Sequence, residues 1–336
     1  MSEPSRRGPR PDDALPTVEP PSAAFLVQLF VVPLMIVSCG LFVVWGFYGL
    51  AQMGNDPENY VRALRRNNEG RWQVALNFAN DLRGPGGAAL KNDAKLAGDL
   101  TGILNDEVAS GRTNGSGHAA EQAKTLCGYL CRALGEFSVP EAAVPLLQRA
   151  VDADDPQTAQ AAVEALAVLS SNLTSAGKSF ADPAAVAAAL LTASRSDLAT
   201  LRSSASYSLG VVGGSDSVAR LRELLDDGDD DVRFNAAMGL ARQGSDAAWT
   251  ILEEMLALPD VLPQEGDQKR QAERYRRAMI VVNAIKGVGV LVDSSKQPPP
   301  EVISRLITTL ADDPVSDVRS SAAALRRRID RLDSNG

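Results

Sequence analysis

The side chains with the most chemical capacity in this sequence are three cysteines, one histidine and a run of aspartates, Asp226-Asp227-Gly228-Asp229-Asp230-Asp231. Cys127 and Cys131 stand four apart, on one face of any helix that carries them, and read as small core residues rather than a redox or metal pair. Cys39 sits inside a long apolar run. No Cys-x-x-Cys pair and no disulfide framework exist, so cysteine usage does not choose a redox compartment. His118, the only histidine, follows Gly115-Ser116-Gly117. With this one loop histidine, a histidine-based triad and a histidine-ligated metal centre are not expected. The aspartate run offers carboxylates for Ca²⁺ but lacks the glutamate an EF-hand loop requires. Its other use is to cap a helix and complement the positive end of the helix dipole. No phosphate-cradling loop is present, and Gly287-Val288-Gly289 is too short for a dinucleotide fingerprint. No catalytic residue, cofactor site, metal site or small-molecule substrate is expected, and the chain is expected not to be an enzyme.

With little chemistry to position, the pattern of elements carries the argument. The chain has 336 residues, 45% apolar but only 5% aromatic, and a formal charge of −8. Alanine- and leucine-rich sequence of this kind packs as helices. The acidic balance argues against a nucleic-acid partner. Residues 1–22 are proline-rich with mixed charge and read as a disordered tail.

From Ser22 to Asn55 there is no charged residue. The apolar core, Phe25 to Leu50, would extend roughly 39 Å as a helix, against a hydrocarbon thickness of ~30 Å. Residues 23–52 are expected to cross a membrane once, with Trp45, Phe47 and Tyr48 as an interfacial aromatic belt. A cleaved signal peptide has a shorter apolar region. The tetrad Ile36-Val37-Ser38-Cys39 is like a lipobox, but further apolar residues follow it. The expected location is a membrane of the bacterial inner-membrane kind. Arg6, Arg7 and Arg10 before the span balance Arg62, Arg65, Arg66 and Arg71 after it, which leaves the side of the soluble part open. Residues 56–112 read as a linking helical region.

From His118 onward the sequence repeats. Arg202 and Arg233 lie 31 apart, as do Leu209 and Leu240; an alanine follows each arginine at +3. A Gly/Ser turn and a second amphipathic segment complete each unit, giving helix–turn–helix repeats that bury their stripes only by stacking. The segments Asp231-Val232-Arg233-Phe234-Asn235-Ala236-Ala237 and Asp317-Val318-Arg319-Ser320-Ser321-Ala322-Ala323 resemble the signature of HEAT repeats, in particular the phycobilisome-lyase type. That resemblance implies a structural role for Asp231, Arg233, Asp317 and Arg319 in holding neighbouring repeats in register. Arg202 keeps the arginine but has Thr200 where the aspartate is expected. The fold expected is all-α: a transmembrane helix, then an α-solenoid over 118–333. The basic groups Lys269, Arg270, Arg274, Arg276, Arg277 and Arg326, Arg327, Arg328, Arg331 read as solvated helix faces, or as surfaces for an acidic partner or lipid headgroups. The function expected is a membrane-tethered scaffold that binds protein or peptide partners and meets lipid through its N-terminal helix. The resemblance also leaves open a lyase or chaperone-like factor acting on a bound client.

Overall fold

The computed structural model describes residues 24, 27–53, 57–66, 68–262 and 267–333, and for 47–53 and 333 the backbone only. The expected tail, 1–22, lies outside them, as do the side chains of Phe47 and Tyr48. The chain divides into two units, Met1–Asn55 and Asp56–Gly336.

In the first unit a π-type turn, Val27–Val31, runs into helix α1, Val32–Met53. Its apolar side chains are exposed all round, Phe42 at 74% and Trp45 at 71%. The stretch Val27–Gly46 is long and apolar enough to cross a bilayer. The described residues from Val27 to Gly46 are all exposed.

The second unit holds α2 (Pro57–Arg65), α3 (Arg71–Arg83), α4 (Ala94–Ala109), α5 (His118–Gly135), α6 (Ala143–Ala150), α7 (Pro156–Ser175) and α8 (Pro183–Ala193). It continues with α9 (Ala199–Val212), α10 (Ser215–Glu223), α11 (Asp230–Arg242), α12 (Trp249–Leu256), α13 (Gln268–Ser295), α14 (Glu301–Leu310) and α15 (Ser316–Asp333). No strand occurs among the described residues. Odd-numbered helices from α3 to α15 stack side by side in one layer, and even-numbered helices form a second layer beneath them. Each even helix packs on the odd helix that follows it. The unit is thus an α-solenoid of HEAT-like helix–turn–helix repeats. Helix α13 is also long and apolar, but half of its apolar window is buried in the stack.

The expected boundary near residues 112–118 is not a boundary in space. Helices α2 to α4 belong to the same unit; α3 packs directly on α5, and α2 on both α3 and α4. The linking region is the start of the array. Its leucines and phenylalanine (Leu64, Phe78, Leu82, Leu100, Leu104) are as buried as Leu130, Leu166 and Leu240 further along.

Local chemistry starts these helices. Asp93, Asp155, Asp182, Asp229 and Asp267 each accept a backbone N–H from the first turn of the helix they precede. Each such cap contributes ~1 kcal/mol. Pro156 and Pro183 occupy first helical positions, where no amide donor is needed.

Small residues set the spacing of the odd layer. A Cβ added at Gly239 would lie 2.9 Å from the Cα of Gly210 and 2.9 Å from Leu221 Cδ1. One added at Gly135 would lie 2.8 Å from the carbonyl oxygen of Ala165. Backbone therefore meets backbone where α9 crosses α11 and α5 crosses α7. A glycine inside a helix normally costs about 0.5–1 kcal/mol relative to alanine. Here relief of that cost is outweighed by overpacking, about 1–3 kcal/mol. Gly210→Ala is expected to lower the thermal midpoint. Gly98→Ala, in the middle of α4 with nothing within 4 Å of the added carbon, is expected to raise it. Calorimetry of the two variants checks the opposed signs.

Candidate interaction surface

The motif arginines lie along the seam between the two layers. Arg202 donates Nε and Nη2 to both carboxylate oxygens of Asp227, at 2.8 and 2.9 Å, and Nη1 to the carbonyl of Ser196 at 3.0 Å. Arg233 donates to the carbonyl of Asp227 at 3.2 Å, and to Asp230 at 2.9 Å and Glu254 at 2.7 Å. Arg319 donates to the carbonyl of Asp313 at 2.6 Å. In all three, an arginine reaches back six residues to a carbonyl in the turn before its own helix.

Asp227 thereby joins two odd helices. Its carboxylate holds Arg202 of α9 and its carbonyl holds Arg233 of α11. Asp313 repeats the arrangement, its carboxylate 2.7 Å from Arg277 of α13 and its carbonyl bound to Arg319 of α15. Arg277 and Asp313 are both buried. Arg277, placed by sequence among solvated basic groups, is a core residue, and Arg274 pairs with Asp260 at 3.5 Å.

The motif aspartates sit elsewhere. Asp231 pairs with Arg276 at 2.7 Å, joining α11 to α13 at the surface. Asp317 is exposed in the first turn of α15. The cap of α11 is Asp229. Thr200 in place of an aspartate leaves Arg202 fully partnered, because its acid is Asp227. The carboxylates of the aspartate run diverge: Asp227 to Arg202, Asp229 to backbone amides, Asp230 to Arg233 and Asp231 to Arg276. Among the described residues no three of His, Cys, Asp and Glu gather at one point.

A second joint between repeats went unread in the sequence. Asn172 Nδ2 donates to the carbonyl of Gly135 at 3.1 Å, and Gln243 Nε2 to that of Gly210 at 2.9 Å. Each amide closes a carbonyl near the end of the preceding odd helix. The signal available was an amide side chain recurring near the end of an odd helix.

Burial pushes the Cys127 thiol up to about 12, with Glu107 and Asp155 nearby adding to it; burial likewise raises Cys131. His118 Nε2 lies 2.9 Å from the side-chain nitrogen of Gln122. Beside it, in a groove that includes Trp72, buried Glu107 is held by Arg71 at 2.6 Å and Arg112 at 2.5 Å. The two guanidiniums compensate the buried carboxylate, and the Arg71 pair ties α4 to the start of α3.

The odd helices expose one face opposite the even layer. On it Trp72 stacks with Tyr129 at 6.2 Å, and the Arg132 guanidinium lies 5.3 Å from the centre of the Tyr129 ring. The Arg242 guanidinium lies 5.0 Å from the centre of the Tyr207 ring. Met238, Tyr275 and Met279 continue the row, the last two exposed. Tyrosine, tryptophan, methionine and arginine are the side chains that carry energy in protein interfaces.

Residues 185–262 match the family of HEAT repeats. No curated protein matches the chain. Among solved structures, the chain is similar to the complex of CpcE and CpcF of phycocyanin lyase from Nostoc, at 14% identity and a TM-score of 0.46, covering 82% of this chain and 94% of that one. It is similar to human deoxyhypusine hydroxylase in complex with glycerol, at 18% identity and a TM-score of 0.32, over 84% and 99% of the two chains. It is also similar to an engineered protein, at 16% identity and a TM-score of 0.34, over 83% and 98%.

The Arg202 guanidinium beside Asp227 holds that carboxyl below its usual range. An acid depressed in the folded state stabilises above its unfolded value, ~3.9, and loses that contribution as pH falls through the lower folded value. Asp227→Asn is expected to cost about 1–3 kcal/mol near neutrality. The gap from the parent should narrow below about pH 4, as followed by urea unfolding. Asp313→Ala removes the nearer carboxylate from buried Arg277, leaving Asp260 at 3.9 Å, and is expected to cost about 3 kcal/mol. Both buried thiols should resist alkylation at pH 8 until denaturant is added, as read by mass spectrometry.

Proposed function

We propose that this chain is a membrane-tethered scaffold: α1 anchors it in a bilayer and the HEAT-like array binds protein or peptide partners. The observation that carries the reading is the pairing of two unlike units. One is a helix with apolar side chains exposed on every side. The other buries its apolar stripes by stacking and leaves an extended row of aromatic, methionine and arginine side chains outward. A span of Val27–Gly46 fits a hydrocarbon core of ~30 Å at 1.5 Å per residue. Holding the array at a surface raises its effective concentration toward partners there. Among the described residues of the array, buried Glu107, Arg277 and Asp313 are paired, burial raises the Cys127 and Cys131 thiols, and His118 contacts Gln122. Those observations favour a binding role over a catalytic one.

Membrane fractionation tests the reading. The full chain is expected to stay with membranes through carbonate washing and to leave only with detergent. A variant lacking residues 1–55 is expected in the soluble fraction with its helical signal intact. Recovery of the full chain without detergent overturns the anchor, as does a mature N-terminus beyond Leu50, which marks a removed leader. Crosslinking from Tyr207 in membranes that yields no protein adduct overturns the scaffold.

A further inference from the structure

We infer that the outer face of the odd helices, from Tyr129 on α5 to Lys286 on α13, docks an extended acidic peptide segment of its partner, an inference that rests on the scaffold reading above. Charge complementarity selects the occupant. Arg132 and Arg242 lie against Tyr129 and Tyr207. Neither arginine forms an ion pair among the described residues, and Lys286 is exposed on the same side of α13 as Tyr275 and Met279. Asp231 and Arg276 neutralise each other at 2.7 Å. The carboxylate left without a cation is Glu164, which accepts hydrogen bonds from Gln160 and Ser204. Three cations against one carboxylate leave this face at +2, on a chain whose net charge is −8. A guanidinium already stacked on a ring is oriented before the partner arrives, so less side-chain freedom is lost on binding.

The geometry also sets a spacing. Neighbouring packed helices lie ~8–10 Å apart, and an extended chain advances ~3.3 Å per residue. Arg132 and Arg242 are separated by the steps α5 to α7, α7 to α9 and α9 to α11. That distance, ~27 Å, corresponds to about eight peptide residues. Lys286 on α13 lies one step, about three residues, further. Between the first two cations the face presents Val168, Tyr207, Val211 and Met238, which suit apolar side chains. The matching segment carries acids about eight and then about three residues apart, with apolar residues between.

The test uses the full chain in detergent micelles and fluorescence anisotropy of labelled peptides. The probe has glutamates at that spacing with leucine and serine between. Comparators are a peptide of the same composition with its glutamates adjacent, and a single-stranded oligonucleotide of similar length. The spaced peptide is expected to bind best, and Arg132→Glu with Arg242→Glu to weaken it about tenfold or more. The control Arg326→Glu with Arg327→Glu adds the same negative charge on α15 and is expected to change affinity less than about twofold. Unchanged thermal midpoints show that both pairs fold. Equal weakening by the two pairs, equal binding of the two peptides, no binding of the spaced peptide, or tighter binding of the oligonucleotide each overturns the inference. The assay needs no bilayer, so its failure leaves the anchor standing, and loss of the anchor leaves peptide docking standing.

Discussion

The array depends on a constraint at the turn between its layers: one aspartate must serve two arginines. Asp227 gives its carboxylate to Arg202 and its carbonyl to Arg233. Asp313 does the same for Arg277 and Arg319. Stacked helices with leucine and alanine stripes could slide by a turn and still bury apolar area, because the hydrophobic effect has no direction. The bidentate pair of Arg202 with Asp227 has direction. A slide that broke it would leave charges poorly solvated beside the core, a cost of several kcal/mol. Apolar stripes therefore make the helices stack, and the arginine–aspartate joints select the register.

Close approach in the odd layer works with those joints. Gly210 against Gly239, and Gly135 against Ala165, bring backbones near enough for Gln243 and Asn172 to reach the previous helix's carbonyls. Ser208 extends the same idea, its hydroxyl 2.9 Å from the carbonyl of Val163. The layer is thus stitched by polar groups at fixed heights. Its outward side chains recur at fixed heights too, which is why Tyr207 and Met238, 31 residues apart in sequence, occupy equivalent places on α9 and α11.

Much of this was legible in the residues, and the illegible parts have specific causes. The 31-residue spacing of Arg202 and Arg233 exposed the period, and small residues after each arginine exposed the packing face. The partner of each arginine was hidden. The conspicuous aspartates, Asp231 and Asp317, lie two residues before an arginine, where the helix points them outward. The operative ones, Asp227 and Asp313, lie six before, in a turn that carries no periodicity. Arg277 was harder still. The segment 257–267 stretches its backbone link to Leu258 to 19 residues, in place of the usual six. Residues 57–112 do not show the motif because Arg71 reaches Glu107, not a turn aspartate, although the burial of Leu64 and Phe78 equals that of later units. Sequence reads a repeat by its motif, whereas the chain needs only an apolar stripe and a satisfied charge.

The two units obey opposite solvent rules, and that contrast frames the functional reading. In the array, exposed large apolar side chains are few and scattered apart from the row on the odd face. In α1 every described side chain from Val32 to Gly46 is exposed, and nearly all are apolar. Water would penalise that helix along its whole length at ~25 cal/mol per Å² of apolar surface, whereas hydrocarbon would not. Its backbone is satisfied internally by helical hydrogen bonds, the requirement for crossing lipid. The array needs the converse: its turns hold aspartates and arginines whose pairing tolerates water at the rim but not removal of one partner. In the sequence the two patterns meet at Asn55-Asp56, where charge first returns after the apolar run.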